Sequence, residues 1–314
     1  MPTVRDRLAP DYYEPRRLPP ELSAFSAAPD TLAAGSPAKV GILDLGFVRR
    51  GERTELTERY QKTPLEIMRP LYVDPALPGM AFTYVMATGG GIAQADRYRQ
   101  DFRCGPGTQA LFTTQAATKV YRMEQDYATQ LVRLSAAEGA YVEYLPDPLI
   151  PFVGARFHQN VVLTVDEAAT VVYAETVTAG RIARGERHAY TALGSDLEIR
   201  RPDGTLLAVD TLRLAPGRSG GVDGPGVFGG HDHVASLFVV SGAARAAADI
   251  ADVLHESLTG HEVLHGASVL PDDCGAWVRI LGHEEPRVTE AVRAAWDAVR
   301  RLLTGHPAPD LRKP

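Results

Sequence analysis

Short β-type runs separated by turn sequences dominate this sequence, and they favour a β-rich fold. Between residues 38 and 241, runs such as VGILDLGFV, QALFTT and TVVYAETVT alternate with turn sequences such as GPG and PDG. Runs of this length, rich in β-branched and aromatic residues and bounded by Gly, Pro and Asp, predict strands. In LEIRRPDGTLLAV the Asp-Gly pair supplies the positive φ angles of a tight connection, which predicts a hairpin. No repeat of fixed period is visible, so the sequence does not indicate a solenoid with a repeat signature.

Helical periodicity is confined to two late segments. In ARAAADIADVLHESLTG, from Ala244, apolar residues recur on one face and Gly260 stands where a C-cap belongs. In VTEAVRAAWDAVRRLLTG, from Val288, the same pattern ends at Gly305, and Thr289 is the predicted N-cap. The sequence therefore predicts a mainly β protein with two α-helices near the C-terminus.

Composition and charge narrow the domain organisation and the class of protein. Residues 1–36, rich in Pro, Ala and Ser, are predicted to be an extended or poorly ordered N-terminal arm, and residues 37–314 a single domain. The net charge of -6 argues against a nucleic-acid binder and against docking on anionic lipid. No apolar run approaches the roughly 20 residues of a membrane span. The N-terminus lacks the apolar stretch of a signal peptide, so we expect a cytoplasmic protein.

Two stretches of the sequence are weak candidates for a catalytic or binding motif. The Gly-rich stretch ATGGGIAQAD (87–96) follows a predicted strand and lacks the ending of a phosphate loop, which favours a turn between strands. GRSGG (217–221) matches G-x-S-x-G but has the composition of a turn, which does not favour a nucleophile elbow. HEVLH (261–265) matches H-E-x-x-H but follows the predicted helix end at Gly260, so it does not predict an H-E-x-x-H helix. His231 and His233 in GGHDH can hold a transition metal from one strand face, or they are ordinary titratable loop residues. A metal-dependent hydrolase using this region is the alternative to a non-enzymatic protein.

Four segments, taken in order, resemble the urease accessory protein UreD family, also called UreH. They are GGIAQAD (90–96), TTQAATKVYR (113–122), VEYLPDPLIPF (142–152) and ETVTAGRIARGE (175–186). The matching positions include Gly90, Gly91, Asp96, Thr113, Thr114, Lys119, Tyr121, Arg122, Glu143, Glu175, Arg181 and Glu186. The resemblance runs from about residue 38 to the C-terminus. The chain departs from the family pattern at Gln94-Ala95, in place of a glycine pair, and at Asp147-Pro148, in place of Gln-Glu.

The resemblance implies a fold and a function. The fold is a β-helix-like stack of sheets with two α-helices. The function is that of a scaffold without catalytic activity, which binds the accessory protein UreF, recruits the GTPase UreG through UreF and docks on apo-urease. Nickel is then a transient cargo that moves along a water-filled internal passage, and no cofactor is tightly bound.

Residues that suit such a passage are hard oxygen donors of modest affinity. Asp96, Glu143, Glu175 and Glu186 are the predicted metal-contacting residues, with Asp96 and Glu186 as the leading candidates. The competing interpretation is that Lys119, Arg122 and Arg181 form ion pairs with these acids, because an unpaired buried carboxylate is costly. In TTQAATKVYR, Thr113 and Thr114 are predicted to end a strand. If the segment is extended, Lys119 and Tyr121 lie on one face and Arg122 on the other.

Overall fold

The chain folds as coils that alternate between two stacked sheets. The structure, a computed structural model, describes residues 3–217, 221–241 and 245–313. The strands in these ranges are β1 (Val40–Arg50), β2 (Arg53–Lys62), β3 (Leu65–Glu66), β4 (Ala81–Ala87), β5 (Arg97–Cys104), β6 (Gln109–Thr114), β7 (Thr118–Val120), β8 (Ala128–Ala136), β9 (Tyr141–Tyr144), β10 (Leu149–Pro151), β11 (Arg156–Val165), β12 (Thr170–Thr178), β13 (Ala192–Arg200), β14 (Leu206–Leu214), β15 (His233–Ser241), β16 (Leu264–Val269) and β17 (Gly275–Gly282).

One sheet has seven strands in the order β14-β13-β11-β8-β5-β1-β2, and the other has ten, with the main order β16-β17-β15-β12-β9-β6-β4-β3. Apart from the short strands β7 and β10, the chain from β4 to β13 passes alternately from one sheet to the other. The neighbours that result within each sheet are parallel, as in β5–β8–β11 and β6–β9–β12. Antiparallel strands complete both ends of each sheet. The predicted mainly β, β-helix-like stack is therefore confirmed, as is the β13–β14 hairpin.

Three short helices precede the first strand: α1 (Val4–Arg7), α2 (Pro10–Tyr13) and α3 (Pro20–Ser23). Side chains from this region are buried against the seven-stranded sheet. Arg7 Nε donates to Asp44 Oδ2 of β1 at 2.9 Å, and Leu22 is 1% exposed. Glu14 accepts from Arg97 Nε of β5 at 2.9 Å. The division of the chain at residue 36 stays a prediction.

Two longer helices lie near the C-terminus, as predicted, with different ends. α4 (Ala247–Glu256) has Ser257 as its C-cap, and the Ser257 hydroxyl donates to the Leu254 carbonyl at 2.8 Å. Because that serine already satisfies an end carbonyl of the helix, the prediction of Gly260 as the C-cap was wrong. The predicted start at Ala244 lies outside the described residues.

The last helix, α5 (Glu285–Thr304), begins three residues before the predicted start, with a proline in its first turn. Thr289 therefore lies inside the helix and donates to Glu285 Oε1 at 2.7 Å, so its predicted role as N-cap was wrong. Gly305 is the C-cap with φ of 77°, as predicted. No helix in the described ranges has the length and apolar character that a membrane span requires.

The two helices cover one face of the ten-stranded sheet, and the seven-stranded sheet covers the other. Strand side chains alternate between these faces. On β12, Tyr173 packs between the sheets, while Val172 packs under the helices with Ile250 and Trp296. The layer between the sheets is mostly aromatic and aliphatic, with Phe102 and Phe112 stacked at a centroid distance of 4.3 Å. This alternation assigns each polar strand residue to one layer of the molecule.

Candidate functional site

A row of polar side chains crosses the apolar layer between the sheets. Tyr98 of β5 is in register with Gln130 of β8, Gln130 with Gln159 of β11, and Gln159 with Ser195 of β13. All four positions have the same strand phase as the core residues between the sheets. Gln130 Nε2 donates to Gln159 Oε1 at 3.1 Å, and Gln159 Nε2 lies 3.4 Å from Ser195 Oγ. These residues, named here the polar row, bring amides and hydroxyls into the centre of the stack.

Glu175 faces this row from the opposite sheet. Its Oε2 accepts from Ser195 Oγ at 2.9 Å, from Tyr173 OH at 3.2 Å and from Gln159 Nε2 at 3.4 Å. It is 8% exposed, and burial raises the pKa of its carboxyl above the ordinary value, while the hydrogen bond from Ser195 partly offsets this. Glu175 is thus a buried carboxylate held by neutral donors.

Three adjoining cavities run past the polar row. The mouth cavity, of about 270 Å³, is bordered by exposed residues of the 87–91 loop and by Lys119, and reaches inward to Tyr98, Gln100 and Gln130. The neck, of about 20 Å³, shares Thr114, Thr118 and Gln130 with the mouth cavity and reaches Glu175 and Ser195. The helix-side cavity, of about 410 Å³, shares Pro146, Asp147 and Thr176 with the neck and extends to α5.

The neck is wide enough for one water molecule, since a single water needs about 10–15 Å³. Gln100 Oε1, at the wall of the mouth cavity, is buried and has no hydrogen-bond partner in the described part of the chain. A buried acceptor without a protein partner indicates a place where water is held. We call the three cavities together the cavity series.

Asp96 lies behind the mouth cavity, at the end of the loop that joins β4 to β5. Its Oδ2 accepts from the Ala93 backbone N–H at 2.8 Å and from Tyr98 OH at 3.1 Å, and its Oδ1 accepts from Lys39 Nζ at 3.1 Å. Burial raises the pKa of Asp96 despite these donors. Asp96 therefore reaches the cavity series through the hydroxyl of Tyr98, and its cationic partner is Lys39 rather than Lys119 or Arg122.

The two glycines of this loop each have a structural reason. Gly90 has φ of 70°, in the left-handed region that glycine favours, and its carbonyl accepts from Tyr121 OH at 3.1 Å. A Cβ at Gly91 would lie 2.8 Å from the Lys119 carbonyl oxygen and 2.9 Å from the Tyr121 ring. The loop is a connection between strands, as predicted, and it packs against the segment that follows β7.

Glu143 lies on the other face of the ten-stranded sheet, under α5. It is fully buried and accepts from Arg300 Nη1 at 2.7 Å and from Tyr141 OH at 2.6 Å. Arg300, also fully buried, pairs in addition with Asp74. Burial raises the pKa of Glu143, and the Arg300 charge partly offsets that effect. The structure thus places Glu143 and Glu175 in different layers.

Glu186 closes a turn after β12. Arg181 Nε donates to its Oε2 at 2.8 Å, and this hydrogen bond lowers the pKa of Glu186. The ion pair predicted for Arg181 is confirmed here. A Cβ at Gly180 would lie 2.0 Å from the Glu186 carbonyl oxygen, so the turn closes tightly. Glu186 is apart from the residues that line the cavity series.

The segment TTQAATKVYR begins at the end of β6 and includes β7. Thr113 and Thr114 end a strand, as predicted, and residues 118–120 are extended. Thr114 lines the mouth cavity and the neck, whereas Thr113 lies on the helix side of the sheet, where its hydroxyl donates to the Leu145 carbonyl. Arg122 lies on the surface, 3.4 Å from Glu124.

His231 and His233 lie apart from the cavity series, His231 just before β15 and His233 at its first position. His231 Nδ1 is 2.9 Å from the Phe228 carbonyl oxygen, its ring stacks on His283, and His233 is buried. Asp232, between them, pairs with Arg187. Among the residues that the structure describes, no group of three or more His, Cys, Asp or Glu side chains is arranged to hold a metal ion. The described residues therefore provide no preformed metal site for the hydrolase alternative.

Several residues of the cavity series were missed in the sequence. They are Gln100, Gln130, Gln159, Ser195, Asp147 and Lys313. A signal was present: in ATQLVRLSA, Gln130 has the same strand phase as Val132 and Leu134, so a polar residue occupies an apolar phase. A buried polar side chain at such a position needs a partner or water, which makes it a candidate for a polar interior.

Comparison with known proteins shows the family. The sequence model of the UreD urease accessory protein family matches residues 39–314. Urease accessory protein UreD 2 of Streptomyces griseus is 66% identical over 294 residues, which cover 93% of this chain and all of that protein. UreD of Cenarchaeum symbiosum is 34% identical, covering 90% and 99% of the two chains, and UreD 2 of Brucella suis is 33% identical, covering 92% and 96%. The chain belongs to the UreD family of urease accessory proteins.

Proposed function

We propose that this chain acts in urease maturation as a non-catalytic scaffold that conducts nickel through the cavity series. In this proposal it binds UreF directly, takes part with UreG through UreF, and docks on apo-urease. The observation that carries the proposal is the polar row between the sheets, with Glu175 opposite it and three adjoining cavities alongside. Family membership supports the link to urease.

The chemistry of the lining suits a hydrated divalent cation in transit. Near the neck the donors are the hydroxyls of Thr114 and Ser195, the amides of Gln130 and Gln159 and the carboxylate of Glu175. Oxygen donors can replace part of a hydration shell, while strong nickel sites use several imidazole or thiolate ligands. One carboxylate among neutral donors gives attraction without a trap. A nickel ion therefore finds modest affinity along the whole route.

The proposed function is tested by replacing the buried carboxylate of the neck. With Glu175→Gln, we expect urease purified after coexpression with all accessory proteins to contain about tenfold less nickel, because the neck loses the carboxylate that attracts the ion. UreF should still copurify with the variant, because Glu175 lies between the sheets and not on the surface. Nickel per urease is measured by elemental analysis, and the complex by affinity purification.

Glu198→Gln is the matched control, because Glu198 lies on β13 three residues after Ser195, on its outer face, and pairs with Arg200. We expect urease from this strain to have its full nickel content. Full nickel content with Glu175→Gln, in a soluble protein that binds UreF, would contradict the proposal.

A further inference from the structure

The ammonium group of Lys313 occupies a cluster of oxygen atoms where the neck meets the helix-side cavity. Its Nζ lies 2.8 Å from both carboxylate oxygens of Asp147 and 2.7 Å from Thr113 Oγ1. Asp147 lines both cavities, and Lys313 lines the helix-side cavity. A cation of the protein itself thus stands at the boundary between two parts of the cavity series.

The oxygen cluster is built by the ends of two neighbouring strands. Thr113 and Thr114 end β6, and Asp147 follows β9, the next parallel strand. Thr114 Oγ1 donates to Asp147 Oδ2 at 2.9 Å and accepts from the Asp147 backbone N–H at 2.8 Å. Because Thr114 faces the neck and Thr113 lies on the helix side, Asp147 links the two faces of the ten-stranded sheet. The cluster therefore lies where an ion leaving the space between the sheets would pass.

Lys313 is brought to this cluster by the segment after α5. The Ala308 backbone N–H donates to Asp297 Oδ1 of α5 at 2.7 Å, and Tyr84 OH of β4 donates to the Leu311 carbonyl at 2.7 Å. Residues 306–313 contain neither helix nor strand. The segment is thus held by isolated hydrogen bonds and by the packing of Ala308 and Leu311, without the backbone hydrogen bonds of a strand or helix, so its displacement costs less than unfolding either.

The charge balance makes the ammonium exchangeable for another cation. Burial lowers the pKa of Lys313, and the hydrogen bond and charge of Asp147 oppose that effect. A carboxylate and two hydroxyls are hard donors that suit a hydrated divalent ion as well as an ammonium. One site of this charge does not hold both cations at once, because two like charges at contact distance repel.

We propose that Asp147, with Thr113 and Thr114, is a divalent-cation site at the boundary between the neck and the helix-side cavity, and that Lys313 is a built-in competitor that closes it. The inference rests on the proposed function, since it assigns a closing element to the same route. Nickel arriving through the neck displaces the lysine, and the segment after α5 then moves away from the helix-side cavity. Without nickel, Lys313 keeps the boundary between the neck and the helix-side cavity closed.

Removing the competitor should strengthen cation binding. We expect the full chain with Lys313→Met to bind nickel ion alone about tenfold more tightly than the unaltered chain, as measured by equilibrium dialysis. Arg312→Met is the control, because it removes an exposed cation from the neighbouring position of the same segment and should leave the affinity unchanged. The double variant Lys313→Met/Asp147→Asn should lose the gain. Equal affinity of Lys313→Met and the unaltered chain, or a gain that survives Asp147→Asn, would overturn the inference.

A second measurement can be made on the unaltered chain and follows the segment after α5 directly. In the unaltered chain, added nickel should speed the amide hydrogen exchange of Ala308, whose N–H donates to Asp297, and of residues 310–313, and in Asp147→Asn it should not. Unchanged exchange in the unaltered chain, at nickel concentrations that saturate binding, would contradict displacement of Lys313. If these tests fail while Glu175→Gln still lowers the nickel content of urease, Lys313 is not a competitor for nickel, but the proposed nickel route is supported. If Lys313→Met binds nickel more tightly while urease matured with the Glu175→Gln variant is fully loaded, the cation site is supported and the nickel route is contradicted.

Discussion

At the scale of single residues, the interior of this protein is defined by polar side chains in apolar strand phases. Glu175 is the clearest case, since its neighbours on the same face of β12 belong to the core between the sheets. The resemblance to the UreD family pointed to Glu175, but sequence alone could not pair it with Ser195 or Gln159. Those partners come from a different sheet, and strand periodicity gives the face of a side chain without its neighbour across the layer.

The buried carboxyl of Glu175 should make stability depend on pH. Burial raises the pKa of Glu175 in the folded state above the ordinary value of 4.5. As pH rises from 4.5 through the raised pKa, the unfolded chain releases this proton before the folded chain does, so the free energy of unfolding falls. Glu175→Gln carries no such proton. We expect its free energy of unfolding to match that of the unaltered protein at about pH 4 and to exceed it at about pH 7.5. Urea unfolding at both values measures this, and a variant that is less stable at the higher pH would show that Glu175 is stabilised as an anion.

The buried cation of α5 gives a second prediction. Arg300 is fully buried between Asp74 and Glu143, whereas Arg301, the next residue, is exposed and pairs with Asp297. Arg300→Met leaves two buried carboxylates without their cation, so we expect a loss of about 3–5 kcal/mol in the free energy of unfolding. Arg301→Met should change it by less than about 1 kcal/mol. Denaturant unfolding of both variants checks this, and equal effects would contradict the burial of Arg300.

At the scale of elements, strands were predictable where their residues alternate and turns bound them. The longer strands between residues 38 and 241 follow the predicted runs, but the short strands β3 and β10 were not predicted, and neither were β16 and β17 between the late helices. β16 is an edge strand whose residues are largely exposed, so it lacks the apolar phase that marks the inner strands. Helix ends were missed for local reasons, because Ser257 and the proline after Glu285 set them.

The loop between β4 and β5 gives a prediction about how two elements meet. Gly91→Ala would place a Cβ within 2.9 Å of the Lys119 carbonyl and the Tyr121 ring, so β7 or the loop must move. We expect a loss of about 1–3 kcal/mol in the free energy of unfolding, as in other overpacked sites. Gly107→Ala is a comparison that also lies in a turn, where a Cβ meets nothing within 4 Å but φ is 64°. Its cost should be limited to the backbone strain of about 1–2 kcal/mol. Thermal unfolding measures both losses, and a Gly91→Ala protein as stable as the unaltered chain would contradict the close contact with Lys119 and Tyr121.

At the scale of the whole molecule, the alternation of the chain between two sheets explains how distant segments form one interior. Each coil adds one strand to each sheet, so residues 98, 130, 159 and 195 come into register although the sequence separates them widely. Periodicity could not give this strand order, because parallel neighbours are joined through the opposite sheet. The β-helix-like stack was expected from the resemblance to the UreD family. That resemblance did not separate Glu143 and Glu186 from the cavity series.

If nickel moves through the neck between the sheets, filling that neck should block its delivery to urease. Ser195→Leu places a larger side chain in a space of about 20 Å³, while Ser135→Leu adds the same side chain on the outer face of β8 in the same sheet. Both variants are coexpressed with urease and its other accessory proteins, and nickel per urease is measured on the purified enzyme after copurification with UreF confirms a folded complex. We predict nickel-poor urease with Ser195→Leu and fully loaded urease with Ser135→Leu. Fully loaded urease from cells that carry the Ser195→Leu variant would contradict the passage of nickel through the neck.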